Sequence, residues 1–171
     1  MKKNIAIGAD IGGSHISCAA VNLDSLEIIN GSRTEMAVDN KADASEIIGV
    51  WSRALMDSIA TIPSDSLKGV GFGMPGPFDY VKGISYIKGV AKYEKLYGCN
   101  VAVSIAERLG FENGFPVRFM NDVSVFAVGE ALVGKAAGKE RSMSVTLGTG
   151  FGSAFIAGTI PVVDGPEVPK L

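Results

Sequence analysis

The sequence predicts an α/β fold: a mixed sheet with flanking helices in the order βββαβαβα, followed by the opening strands of a second, similar domain. Three observations carry that prediction. Three strand-like apolar runs open the chain with no helical stripe between them. Stripes of 3.6-residue period then alternate with short buried runs, the pattern of helices laid on a sheet. After the third helical stripe, strand-like runs return with no helix among them.

The elements follow in order. Asn4–Asp10 is a short apolar strand, and Gly12-Gly13 turns it into a second, His15–Leu23. The glycines are expected to supply positive φ in that turn. Asp24-Ser25 links to a third strand over Leu26–Met36. Ile47, Ile48, Trp51, Leu55 and Ile59 form a helical stripe; Asp43 and Glu46 resemble a capping box before it, and Pro63 lies beyond it. Lys68–Met74 is a buried strand ending at Pro75-Gly76-Pro77, and Phe78–Gly98 reads as irregular. Asn100–Leu109 is a second helix with Gly110 as its C′ residue. Val117–Met120 is a strand, and Asp122–Val133 a third helix closed by Gly134. Ser142–Leu147, Ser153–Ala157 and Ile160–Val163 are the later strands. The domains are therefore expected at 1–135 and 136–171, with Ala136–Lys139 as linker.

Composition narrows the function classes. Hydrophobic residues make up 47% and charged residues 20%, a globular balance. A net charge of −2 with both signs dispersed gives no basic footprint for nucleic acid. No apolar run is long enough to span a bilayer, and no signal peptide is seen, so a cytoplasmic protein is expected. Cys18 and Cys99 read as buried free thiols, and with His15 as the single histidine this chain builds no Cys/His zinc site. Glycine is in excess, 22 of 171 residues, against a usual ~7%.

Two glycine patterns are decoys. Gly71-Phe72-Gly73-Met74-Pro75-Gly76 matches a dinucleotide fingerprint, but Pro75 and Pro77 give turn chemistry where a helix would have to start. Gly129–Lys135 approaches a P-loop, but Ala136 replaces the Ser/Thr and the first glycine sits inside a helix.

Asp10-Ile11-Gly12-Gly13-Ser14 reads either as a hairpin turn or as a phosphate-binding turn, with Gly12, Gly13 and Ser14 presenting amides and a hydroxyl. Asp10 suits the second reading only with a cation. A carboxylate ~4 Å from a phosphate charge is repelled by about 4 kcal/mol at an effective dielectric of 20, and Mg²⁺ reverses that sign. Leu147-Gly148-Thr149-Gly150 echoes the first turn, either as a tight hairpin or as a second amide cradle. Asn121-Asp122 ends a strand and starts a helix, so either residue is an N-cap, or Asp122 is a general base at a strand's carboxyl end with Asn121 on the substrate.

Taken in order, Asp10–Ser14, Gly71–Asp79, Asn121-Asp122 with Gly129-Glu130, and Leu147–Gly152 resemble the ROK family of bacterial sugar kinases, within the actin/hexokinase/Hsp70 ATPase superfamily. The resemblance covers roughly Ile5–Pro161. It implies a ribonuclease H-like sheet and phosphoryl transfer from Mg-ATP to a hexose-type sugar hydroxyl. It places Asp10 at the metal, and Gly12, Gly13 and Ser14 on one phosphate turn, with Gly148, Thr149 and Gly150 on another. Asp122 becomes the catalytic base; Asn121, Gly73, Pro75 and Gly76 contact sugar. Ser14 stands where the family has Thr, and Ile87–Gly98 replaces an Asn-Leu-Pro-Gly-Trp-like segment. The family's adenosine-binding part, its Gly-Glu-x-Gly-His motif and its Cys-rich zinc motif are absent from these 171 residues. Zinc is therefore expected only outside this chain, and the chain by itself is expected to be inactive. A homo-oligomer is a further family expectation. The alternatives are a ROK-type sugar-sensing transcriptional regulator, against which the absence of a leading helix-turn-helix counts, and a non-catalytic sugar-binding protein.

Overall fold

A computed structural model describes residues 4–147 and 151–163. The chain divides into two compact units, Met1–Met120 and Asn121–Leu171. Residues 1–3, 148–150 and 164–171 lie outside the described set.

In the first unit, β1 (Ile5–Ile11), β2 (His15–Asn22), β3 (Thr34–Ala37), β4 (Leu67–Met74) and β7 (Val117–Asn121) form one sheet ordered β3-β2-β1-β4-β7. β1 pairs antiparallel with β2 and parallel with β4, and β2 pairs antiparallel with β3. The expected α/β class and mixed sheet are thus observed. The chain also makes a small β5 (Phe78–Asp79) and β6 (Ile84–Ser85) hairpin inside the stretch read as irregular.

Period-2 alternation decides the faces of the sheet. Ile5, Ile7, Ala9 and Ile11 of β1 are buried, while Gly8 and Asp10 are exposed on the other side. Ala9 registers with Phe72 of β4, so Val70 and Phe72 join the buried face. Helix α1 (Ala44–Ile59) covers that face with Ile47, Ile48, Trp51 and Leu55, all buried as their spacing required. Full burial of each such side chain contributes roughly 1.5–3 kcal/mol. Helix α2 (Val101–Leu109) packs on α1. It starts with Asn100 accepting from the Val103 N–H at 3.1 Å and stops at Gly110, whose φ of 65° is the left-handed C-cap expected of glycine.

Three local expectations are corrected. Only Thr34–Ala37 of the Leu26–Met36 run pairs as strand, because Leu26 (φ 59°) and Gly31 (φ 77°) take left-handed backbone and break the extension. Asp43 is the N-cap of α1 but makes no side-chain cap bond; its backbone carbonyl accepts from Glu46 instead. Gly12 is not in the left-handed region. A Cβ there would lie 2.5 Å from the His15 ring, so the ring would have to turn aside to admit one.

The second unit is a hairpin sheet on one helix. Helix α3 (Asp122–Val133) packs on β8 (Arg141–Leu147) and β9 (Phe151–Ala157), with β10 (Ile160–Pro161) at the far edge in the order β10-β9-β8. Its small core is Ala127, Ala131, Ala154 and Ile156. Among the described residues no helix is long and apolar enough to cross a membrane.

Candidate active site

The parallel register sets the first half of the site. Asp10 pairs with Ser17 on β2 and with Gly73 on β4. The carboxyl ends of β1 and β4 therefore lie side by side, the end of an α/β sheet where ligands collect. The exposed Asp10, with the Gly12–Ser14 turn that follows β1, and the segment from Gly73 that leaves β4 lie at that end.

The turn is tightly specified. The Gly12 N–H donates to the His15 carbonyl at 3.0 Å and closes the hairpin, so it is not one of the outward amides. The Gly12 carbonyl accepts from the Tyr93 hydroxyl at 2.7 Å. The Gly13 carbonyl accepts from the side-chain amide of Asn40, and the Ser14 carbonyl from the Val38 N–H at 2.8 Å. Asn40 in turn accepts the Tyr93 N–H on its backbone carbonyl at 2.8 Å. Tyr93 is fully buried, with its ring 5.5 Å from that of Trp51 in an edge-on arrangement. Burial pushes its phenol up to about 12, so it remains a hydrogen-bond donor through the neutral range. Its φ of 55° is left-handed, a conformation a bulky residue holds only when its surroundings over-determine it. Neither Tyr93 nor Asn40 was singled out by motif. The one signal was that the Ile87–Gly98 segment departs from its family pattern.

The Gly73–Gly76 loop leaves β4 and enters the β5–β6 hairpin, so no helix starts there and the dinucleotide reading is excluded. Gly73, Met74 and Pro75 are buried, while Gly76 is exposed. The Tyr80 hydroxyl donates to the Met74 carbonyl at 3.1 Å and lies 3.3 Å from where a Cβ on Gly76 would sit. A side chain on Gly76 would crowd that bond, which is why the loop takes glycine here.

The second unit carries the other candidate residues. Asn121 caps α3, accepting from the Val123 and Ser124 N–H groups at 3.1 and 3.3 Å. Its amide donates to Asp122 Oδ1 at 3.0 Å, and that same oxygen accepts from the Val123 N–H at 2.9 Å. The capping role expected for this pair is therefore real, and it also fixes the Asp122 carboxylate. Gly148, Thr149 and Gly150 lie outside the described residues. The residues on either side, Leu147 and Phe151, are register partners in the β8–β9 hairpin. At Gly152 a Cβ would lie 2.6 Å from Val123, so this end of the hairpin packs at the start of α3, next to Asp122 in sequence.

No group of three or more His, Cys, Asp or Glu side chains able to hold a metal occurs among the described residues. Mg²⁺ is commonly held by one or two carboxylates together with substrate phosphates, so the exposed Asp10 carboxylate near an amide turn fits that ion. Cys18 is a buried free thiol, as expected, and burial pushes it up to about 12, whereas Cys99 is only partly buried, against expectation.

The order β3-β2-β1-β4-β7, with a glycine turn after the central strand, is the actin/hexokinase-like arrangement. Several of the similar solved structures are sugar kinases. A ROK family glucokinase from Streptomyces griseus, in complex with glucose and AMPPNP, superposes with a TM-score of 0.75 at 23% identity, covering 94% of this chain and 47% of that one. An inorganic polyphosphate/ATP-glucomannokinase from an Arthrobacter species gives 0.74 at 25% identity, covering 94% and 61%. The ROK family model matches residues 6–166, and the chain belongs to the ROK family. A glucokinase from Thermotoga maritima is 26% identical over 156 residues, 91% of this chain and 45% of that protein. The chain spans about half the length of the curated relatives it matches. A ROK family transcriptional regulator also shares the fold, with a TM-score of 0.70 at 14% identity over 92% of this chain and 38% of that one.

Proposed function

We propose that this chain supplies the N-terminal half of an ATP-dependent sugar kinase that transfers the γ-phosphoryl group to a hydroxyl of a hexose-type sugar. The observation that carries the reading is the Asp10–Gly73 register, which sets an amide turn, a carboxylate and a small-residue loop at one end of the sheet in a ROK family chain. Mg-ATP, when bound, supplies the transferable group and the charge that neutralises it.

The chain's own residues divide the remaining work. Asp10 holds the metal. Gly13 and Ser14 offer backbone N–H groups, and Ser14 a hydroxyl, to phosphate oxygens. Gly12 closes the turn that presents them. Gly148, Thr149 and Gly150 provide the second phosphate turn. Gly73, Pro75 and Gly76 form a wall that lets a pyranose approach the backbone. Asp122 takes the proton from the attacking sugar hydroxyl, with its carboxylate held by Asn121 and the start of α3. Asn121 belongs to the same sugar subsite. The protein acts as a soluble partner of sugar and nucleotide, with homo-oligomerisation expected of the family.

The regulator fold neighbour carries no reading of its own here, because that likeness shows fold alone. A kinase assay of the full-length protein that contains this chain, against a panel of hexoses and N-acetylhexosamines, tests the proposal. ATP-dependent phosphorylation of one sugar supports it. Sugar binding by calorimetry with no phosphorylation of any panel member would replace it with a non-catalytic binding role.

A further inference from the structure

We propose that Tyr93 and Asn40 are positioning residues that fix which way the Gly12–Ser14 turn presents its amides. The inference rests on reading that turn as a phosphate cradle.

It follows from peptide geometry. In a trans peptide the carbonyl of one residue and the N–H of the next lie in one rigid plane and point in opposite directions within it. The Gly12-Gly13 and Gly13-Ser14 bonds are trans. The Tyr93 hydroxyl holds the Gly12 carbonyl, so the Gly13 N–H faces away from Tyr93. The Asn40 amide holds the Gly13 carbonyl, so the Ser14 N–H faces away from Asn40. Each carbonyl is held, so the direction of each following N–H is fixed, and both are available as donors to an anion at the turn. Without these holds, either plane of a glycine-rich turn can flip. A flipped plane sets a carbonyl oxygen where a donor is needed, which repels a phosphate.

The two holds are one device. The Tyr93 N–H donates to the Asn40 carbonyl at 2.8 Å, so the residue holding the first plane also fixes the residue holding the second. Tyr93 reaches its carbonyl from 81 positions away and is itself fixed by complete burial against Trp51. It also lies within Ile87–Gly98, where the family's usual segment is missing. The replacement segment thus has a definite task on the nucleotide side of the reaction, separate from any contact with sugar.

The test uses Tyr93→Phe, which keeps the ring and removes the hydroxyl, and Asn40→Ala, both in the full-length protein that contains this chain. Affinity for AMPPNP with Mg²⁺ is measured by calorimetry, and the KM for ATP and for sugar and kcat by steady-state assay. Gly13 and Ser14 amide resonances are followed by NMR. Each variant is expected to weaken AMPPNP and raise the KM for ATP by about 3- to 10-fold, the range for one lost hydrogen bond. The KM for sugar is expected to stay within about twofold, because the Gly73–Gly76 wall is untouched. The Gly13 amide is expected to shift in Tyr93→Phe and the Ser14 amide in Asn40→Ala, with the rest of the spectrum retained. Unchanged nucleotide affinity in both variants overturns the proposal, as does an equal rise in both KM values, which would mark a general loss of fold. If the wild-type chain binds no nucleotide, the phosphate reading itself fails. Unmoved Gly13 and Ser14 amides would then separately show that Tyr93 and Asn40 do not hold the turn.

Discussion

The side-chain amide of Asn121 donates a 3.0 Å hydrogen bond to Oδ1 of its neighbour Asp122. The Val123 N–H donates to the same oxygen at 2.9 Å, so the carboxylate is oriented from two directions at the first turn of α3. Orientation of this kind is what a base needs before its proton affinity matters.

Asp122→Asn therefore makes a clean test of chemistry. An asparagine keeps an oxygen to accept from Val123 and loses only the capacity to take a proton. Single-turnover phosphoryl transfer in the full-length protein is expected to slow by about 10²- to 10⁴-fold. Helix content and melting temperature by circular dichroism are expected to stay close to wild type. An unchanged transfer rate would remove Asp122 from the reaction.

Asn121→Ala removes the cap of α3 and releases Asp122 together. The cost in stability is expected near 1 kcal/mol, with Asn121→Asp much milder because aspartate caps as well as asparagine does. Urea denaturation of the three proteins reads the difference. Equal midpoints for Ala and Asp would show that the 3.1 and 3.3 Å cap bonds contribute nothing measurable.

At Gly12 the requirement is space for the His15 ring. Gly12→Ala is expected to destabilise by about 1–3 kcal/mol through overpacking. His15→Ala clears the ring, so the double variant is expected to recover most of that loss. A coupling energy of about 0.5–3 kcal/mol in the double-mutant cycle supports the contact. Strict additivity would place the cost in the backbone of the turn.

Alkaline pH is expected to weaken the fold through two buried groups. Burial raises the Cys18 thiol from 9.0 to about 12 and the Tyr93 phenol from 10.0 to about 12. Each favours the folded state while the unfolded chain also stays neutral. That contribution is whole below pH 9 and is lost as pH climbs towards about 12, where the unfolded chain ionises first. The stability margin of wild type over Cys18→Ala is thus expected to be flat from pH 7 to 9 and to fall above it. A margin that stays level to pH 11 would mean the thiol is not desolvated.

Much of the frame was legible because its signals are local. The alternation of β1 and the Ile47–Ile59 stripe of α1 report burial residue by residue, and both elements formed within a residue or two of expectation. Gly110 ended α2 as its conformational freedom suggests. The third strand was overextended because two left-handed residues, Leu26 and Gly31, interrupt an apolar run whose composition alone reads as strand. The candidate residues at the turns are legible as motifs, since glycines and carboxylates at turns leave a sequence trace. Tyr93 and Asn40 left none. A tyrosine among lysines looks like surface, and only the fold shows that it closes on a carbonyl 81 residues earlier.

β1 is the middle strand of five, flanked by β2 and β4. Asp10 and the Gly12–Ser14 turn are therefore anchored to what should be the slowest-exchanging backbone of the unit, whereas many catalytic loops sit on elements that open readily. Heat should not quietly disable this half of the site while the sheet survives. Loss of the turn and cooperative unfolding of the unit are one event, and amides of β1 near Asp10 would exchange only through that global opening.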